Sequence, residues 1–187
     1  MNNIANLLPV VLDSPDVLQA RWEEQWQLLQ DRKDLQARNY TDINNFTDYF
    51  QQLFTNILTA INLPHQSFIV QHHDYVSNNN KMSYVSQMHF DTERKCCITI
   101  PIFSQEPICF YNDVTAEDFN SKRTLGKYKK PTQVCRYSNE HPSLVNVQNV
   151  HNVFITDVEL PRVLLQISYD FTFDEVVNGN PSIFKIL

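Results

Sequence analysis

The chain has 187 residues, 42% hydrophobic and 12% aromatic, enough for the core of one domain and too many for a disordered chain. Fifteen Lys and Arg stand against 21 Asp and Glu, a net charge of -6 that argues against nucleic acid or an anionic membrane as a partner. Gly126 and Gly179 are the two glycines, so a dinucleotide fingerprint and a P-loop are both excluded.

In chain order, Ser14-Pro15-Asp16 offers an N-cap, a proline in the first turn and an acid near the positive end of a helix. A helix is predicted over residues 15 to about 35, with Val17, Leu18, Trp22, Trp26 and Leu29 near helical spacing. Thr41-Asp42 predicts the start of a second helix. Its apolar residues Ile43, Phe46, Tyr49, Phe50, Leu53, Phe54, Ile57, Leu58 and Ile61 recur at three and four, and Leu63-Pro64 ends it. Beyond Pro64 the pattern changes to short runs rich in Val, Ile, Phe, Tyr and Thr. Strands are predicted at 67–72, 85–90, 95–102, 108–111, 144–147, 152–154 and 162–173.

Helices first and many short strands afterwards predict an α+β chain whose N-terminal helices pack against an antiparallel double sheet, a jelly roll or double-stranded β-helix. One domain over residues 1–187 is expected, helical over 1–64 and strand-rich over 65–187. Residues 119–139 stand apart as a basic insertion holding Lys122, Arg123, Lys127, Lys129, Lys130 and Arg136 without an acid. Such a run reads as a solvated loop or as a flap that guides an anionic substrate.

The apolar runs are far short of a membrane span, and Met1-Asn2-Asn3 begins no secretory signal. Cys96, Cys97, Cys109 and Cys135 form no C-x-x-C pair, which fits reduced, buried thiols. A soluble, cytoplasmic protein is expected.

His89-Phe90-Asp91 carries the most chemistry. A histidine and a carboxylate two positions apart on a strand share a face, because strand side chains alternate. H-x-D alone arises often by chance. Joined by a distant histidine, it becomes the two-imidazole, one-carboxylate set that holds one side of an Fe(II) ion and leaves the other open. His151 immediately precedes the strand predicted at 152–154 and is the candidate third ligand, with His141, which precedes Pro142, as its rival. In His72-His73-Asp74 the adjacent histidines face opposite sides of a strand and do not easily share one ion. Arg162 opens the last predicted strand on a face shared with Leu164, Gln166 and Ser168, while Val163, Leu165, Ile167 and Tyr169 form an apolar face. Its planar cation suits a bidentate carboxylate.

On these residues, roughly positions 70 to 173 resemble the 2-oxoglutarate and Fe(II)-dependent oxygenases. That superfamily carries H-x-D, a distal histidine, and a basic residue further on that holds the far carboxylate of 2-oxoglutarate. His89, Asp91, His151 and Arg162 stand at those positions. The run from His89 through Arg94 to Ile98-Thr99-Ile100-Pro101-Ile102 is similar to that of small aspartyl/asparaginyl-hydroxylase-like members, with Thr99 where they often have asparagine. Leu164 stands at the serine position of the R-x-S signature of some branches, and no glycine precedes His151.

The resemblance implies a dioxygenase that uses Fe(II), 2-oxoglutarate as co-substrate and dioxygen to hydroxylate an amino-acid side chain or small metabolite. His89, Asp91 and His151 would hold the metal and Arg162 the co-substrate, with Tyr111 and Ser168 as further hydrogen-bond partners for its carboxylate. Two alternatives stay open: a jelly-roll binding module without activity, and a cupin-like metalloprotein that uses no 2-oxoglutarate.

Overall fold

Pro15 starts helix α1 (Pro15–Asp31), and the Leu18 amide donates to the Ser14 carbonyl as its first turn closes. The computed structural model describes residues 5–31, 39–40, 42–73, 84–103, 107–119, 132–137, 141–154 and 162–186. Most of the basic insertion, 120–131 and 138–139, lies outside the described residues, as does Asp74.

The second predicted helix is divided. Residues Ile43–Asn45 form a 3-10 turn whose cap Asp42 accepts from the Asn44 amide at 2.9 Å, and Phe46 is extended before α2 (Asp48–Ala60) begins. Gln25 of α1, fully buried, holds that break. Its carboxamide oxygen accepts from the Thr47 amide at 2.7 Å, and its nitrogen donates to the Asn45 carbonyl at 3.4 Å. A break in the backbone ladder is tolerated there because a side chain from the other helix satisfies it.

Among the described residues eleven strands form two antiparallel sheets, so the chain is α+β. The larger contains β1 (Ala5–Leu7), β2 (Asn39–Tyr40), β3 (Ser67–His73), β5 (Cys96–Phe103), β8 (Ser143–Val145), β10 (Arg162–Tyr169) and β11 (Lys185–Ile186), in the order β11-β1-β8-β5-β10-β3-β2. The smaller contains β4 (Tyr84–His89), β6 (Ile108–Tyr111), β7 (Gln133–Tyr137) and β9 (His151–Phe154), in the order β4-β9-β6-β7. Among the described residues the two sheets do not close into one barrel. No described helix is long and apolar enough to cross a membrane.

β10 shows how the layers form. It lies between β5 and β3, and all of its residues are buried. Val163, Leu165, Ile167 and Tyr169 join Trp22, Phe50, Phe54 and Ile57 of the helices in the main core. On the opposite face Gln166 reaches Cys97, part of a smaller core of Cys97, Ile108, Phe110, Val145, Val147 and Val153 drawn from strands of both sheets and the turn after β8. A strand covered on both sides has no solvent face, so its alternation separates an apolar layer from a polar one.

The strand read over 162–173 is shorter in the fold. It ends at Tyr169, and Thr172 caps a third helix, α3 (Phe173–Gly179). The Glu175 amide donates to the Thr172 hydroxyl at 3.3 Å while the Thr172 amide donates to the Glu175 carboxylate at 2.7 Å, a capping box.

Candidate metal centre

His89 closes β4 and His151 opens β9, and the two are directly opposite in the antiparallel register. Opposed residues of paired strands project on the same side, which brings the two imidazole centroids to 4.4 Å. The chain then leaves β4, and the Asp91 amide donates to the Val147 carbonyl at 3.0 Å, tying the loop to the turn that precedes β9. One ligand atom from each of His89, Asp91 and His151 lies within 4.8 Å of the others.

The donor set fits a divalent transition metal. His151 Nδ1 lies 2.8 Å from the Asn149 carbonyl oxygen, which only accepts, so Nδ1 carries the proton and Nε2 keeps a lone pair. Burial pushes the His151 imidazole down to about 4, with the neighbouring His89 adding to the shift, so the ring is neutral at ordinary pH. Neutral nitrogen is what a metal requires. Asp91 Oδ1 lies 3.7 Å from His89 Nε2, while Oδ2 accepts from Arg94 Nε at 2.6 Å.

Arg94 is the residue that sequence reasoning missed. It begins a chain of polar side chains across the inter-sheet space. Arg94 Nη1 donates to Gln166 Oε1 at 2.7 Å, and Gln71 Nε2 donates to the same oxygen at 3.1 Å. Arg162 Nη1 donates to Gln71 Oε1 at 2.7 Å, and Gln166 Nε2 donates to Cys97 Sγ at 3.7 Å. Both arginines can only donate, so both carboxamides must turn their oxygens toward them. The signal in the sequence was a basic residue three positions after Asp91 and a glutamine on the Arg162 face.

The other expected site residues have mixed placements. Arg162 is 2% exposed and stands on the polar face of β10. Ser168 shares that face but lies six residues on, roughly 20 Å along a strand. The two therefore cannot grip one small dicarboxylate end together. Tyr111 is directed elsewhere. Its hydroxyl donates to Asn152 Oδ1 at 2.9 Å, and it packs with Cys109, Val114 and Val150. Its neighbour Phe110 takes the other face and lies 5.7 Å from the His151 ring. The structure thus brings His89, Asp91 and His151 together and does not bring Tyr111 to them.

His141 is exposed and stands apart from the three-residue cluster. His72 packs under α1, 4.0 Å from the Trp26 ring. Burial raises the Cys97 thiol to about 11 and the Cys96 thiol well above its usual range, so neither is a nucleophile near neutral pH.

A cavity of about 460 Å³ reaches the cluster at Asp91, with Arg94 and Ser168 also in its wall. The Ser168 hydroxyl is buried and has no hydrogen-bond partner among the described residues.

No protein-family model matches the chain, and no curated protein does. Among solved structures, one described as a non-heme monooxygenase, a ThoJ–nickel complex, is similar over 87% of this chain and 70% of its own. The identity is 8% and the TM-score 0.49.

Proposed function

We propose that the chain is an Fe(II)- and 2-oxoglutarate-dependent dioxygenase that hydroxylates an amino-acid side chain or small metabolite. The observation that carries this is the convergence of His89, Asp91 and His151 within 4.8 Å, with the His151 Nδ1 proton committed to a carbonyl. His89, Asp91 and His151 would hold the metal, and Arg162 the far carboxylate of the co-substrate. Bound there, Fe(II) would supply activation of dioxygen, with 2-oxoglutarate oxidised alongside the substrate.

The protein's own contribution is position and exclusion of water. Arg94 holds Asp91 Oδ2, so Oδ1 is the oxygen turned toward His89. Phe110 and Val153 lie in the apolar core beside His151 and keep bulk water from the inner side of the site. Gln71 and Gln166 satisfy donors of the two arginines across the interior.

A jelly roll is the architecture this reading carries, and the strand order supports it. From β3 to β10 the chain alternates between the two sheets, except that β6 and β7 are neighbours in the smaller one, and leaves β8-β5-β10-β3 in one sheet and β4-β9-β6-β7 in the other. Eight antiparallel strands in two four-stranded sets are what that fold requires. Residues 1–64 would belong to the same single domain, since α1 and α2 share one core with β3, β5 and β10. Cys96, Cys97 and Cys109 are buried and form no disulfide among the described residues, which supports a reducing, cytoplasmic setting.

One observation favours a second reading. Arg162 already donates to Gln71, so its burial does not by itself demand a dicarboxylate. A metalloprotein that uses no 2-oxoglutarate would keep the triad and this contact. Metal titration separates both from a binding module without activity. The parent should take up about one Fe(II), or Co(II) as its surrogate, and His89→Ala and Asp91→Ala should not. Equal uptake by parent and variants would reject the metal assignment.

A further inference from the structure

The cavity beside Asp91 has donors to offer. Ser168 is 1% exposed and forms part of the wall of this space, and its buried hydroxyl has no partner among the described residues. A buried hydroxyl left unpaired is costly, and such groups in native folds usually await a ligand or water. Arg94 lines the same space. Its Nε is committed to Asp91 and its Nη1 to Gln166, while Nη2 takes no hydrogen bond among the described residues. Held at two corners, the guanidinium has little freedom left to lose when a ligand arrives.

We propose that this cavity binds a carboxylate group of the substrate, at Arg94 and Ser168. The assignment rests on the oxygenase reading and narrows its substrate to a small carboxylic acid, such as an amino acid with its carboxylate free. A guanidinium edge and a hydroxyl are donors, and an anionic, acceptor-only group satisfies both. Gln66 and Ser67 line the same wall with further polar groups. The two acids present do not oppose it. Asp91 is neutralised by Arg94 at 2.6 Å, and Glu93 is exposed, where water screens its charge. The cavity's volume of about 460 Å³ suits a small molecule. Its wall includes Asp91, so a molecule anchored there lies against one of the three residues that would hold the metal. Arg162, at the opposite end of β10, is left to the co-substrate.

The test uses zinc-loaded protein titrated with butyrate and with its neutral isostere butyramide, observed through the ligand's NMR signals, with and without saturating 2-oxoglutarate. Butyrate should bind at least about tenfold more tightly than butyramide, and 2-oxoglutarate should not displace it. Ser168→Ala and Arg94→Gln should each weaken butyrate roughly tenfold and leave butyramide unchanged. Ser168→Ala should melt at or above the parent temperature, because it removes an unpaired buried group; it keeps the test valid should Arg94→Gln fold poorly. Equal binding of the two probes, or unchanged butyrate affinity in Ser168→Ala, would overturn the proposal. Displacement by 2-oxoglutarate would overturn it too, by giving the site to the co-substrate. Failure of the oxygenase reading looks different: the zinc-loaded parent would bind no 2-oxoglutarate while still preferring butyrate.

Discussion

Arg94 Nε donates to Asp91 Oδ2 across 2.6 Å, and the same guanidinium reaches Gln166 on β10 with Nη1 at 2.7 Å. One side chain therefore joins the small loop that carries Asp91 to the centre of the large sheet. The carboxylate is oriented from behind, as ligands of metal sites commonly are.

Arg94→Lys tests that orientation. Lysine keeps a charge but cannot reach Asp91 and Gln166 in one planar fork. Loss of such a supporting contact typically weakens metal affinity by about 10- to 100-fold. Co(II) titration should show that loss with the absorption band of bound cobalt altered, while thermal melting shows the fold retained. An unchanged affinity would mean that Asp91 needs no support.

Gln166→Leu removes the shared acceptor between Arg94 and Gln71. Each buried donor left without a partner costs about 1–3 kcal/mol, more when it is charged. Urea unfolding should show a loss in that range or above it. A loss below about 0.5 kcal/mol, the scale of an ordinary surface change, would show the relay to be replaceable by water.

His151 makes a pH prediction. Its folded value near 4 lies below the ordinary value of about 6.5 for an unfolded chain, with burial as the main cause. Between those two pH values the unfolded state binds a proton that the folded state refuses, so metal-free stability rises with pH across the window. The parent should lose stability as pH falls from 6.5 toward 4, with no such contribution above 6.5. His151→Asn should show a shallower slope over the same interval. Parallel slopes would place the titration elsewhere.

How much was readable beforehand depends on local parity and length. The H-x-D pair was legible from its spacing, although β4 ends at His89 and Asp91 is placed by the loop's hydrogen bond to Val147 and not by strand alternation. The polar and apolar faces of β10 were legible because they concern one strand and its period of two. Tyr111 was not, because every residue of β6 is buried and an all-buried strand gives no pattern from which to choose a face. Ser168 had the right face, but the rise along β10 separates it from Arg162. Strands β1, β2 and β11 have three, two and two residues, too short for any alternation to show. α3 was readable in principle, since Thr172-x-x-Glu175 is a capping box hidden behind an apolar run that looked like strand.

The central claim is tested most directly by the 2-oxoglutarate dependence of succinate formation, measured under air with Fe(II) in the parent and in Arg162→Ala. The account predicts succinate from the parent, slow without substrate and saturable in 2-oxoglutarate. Loss of a paired, partly desolvated contact typically costs about 2–5 kcal/mol, so the variant should need roughly 30- to 4,000-fold more 2-oxoglutarate. It should still bind iron as the parent does. Iron-loaded parent that forms no succinate, or a variant with an unchanged requirement, would contradict the account and leave a metal site of another kind.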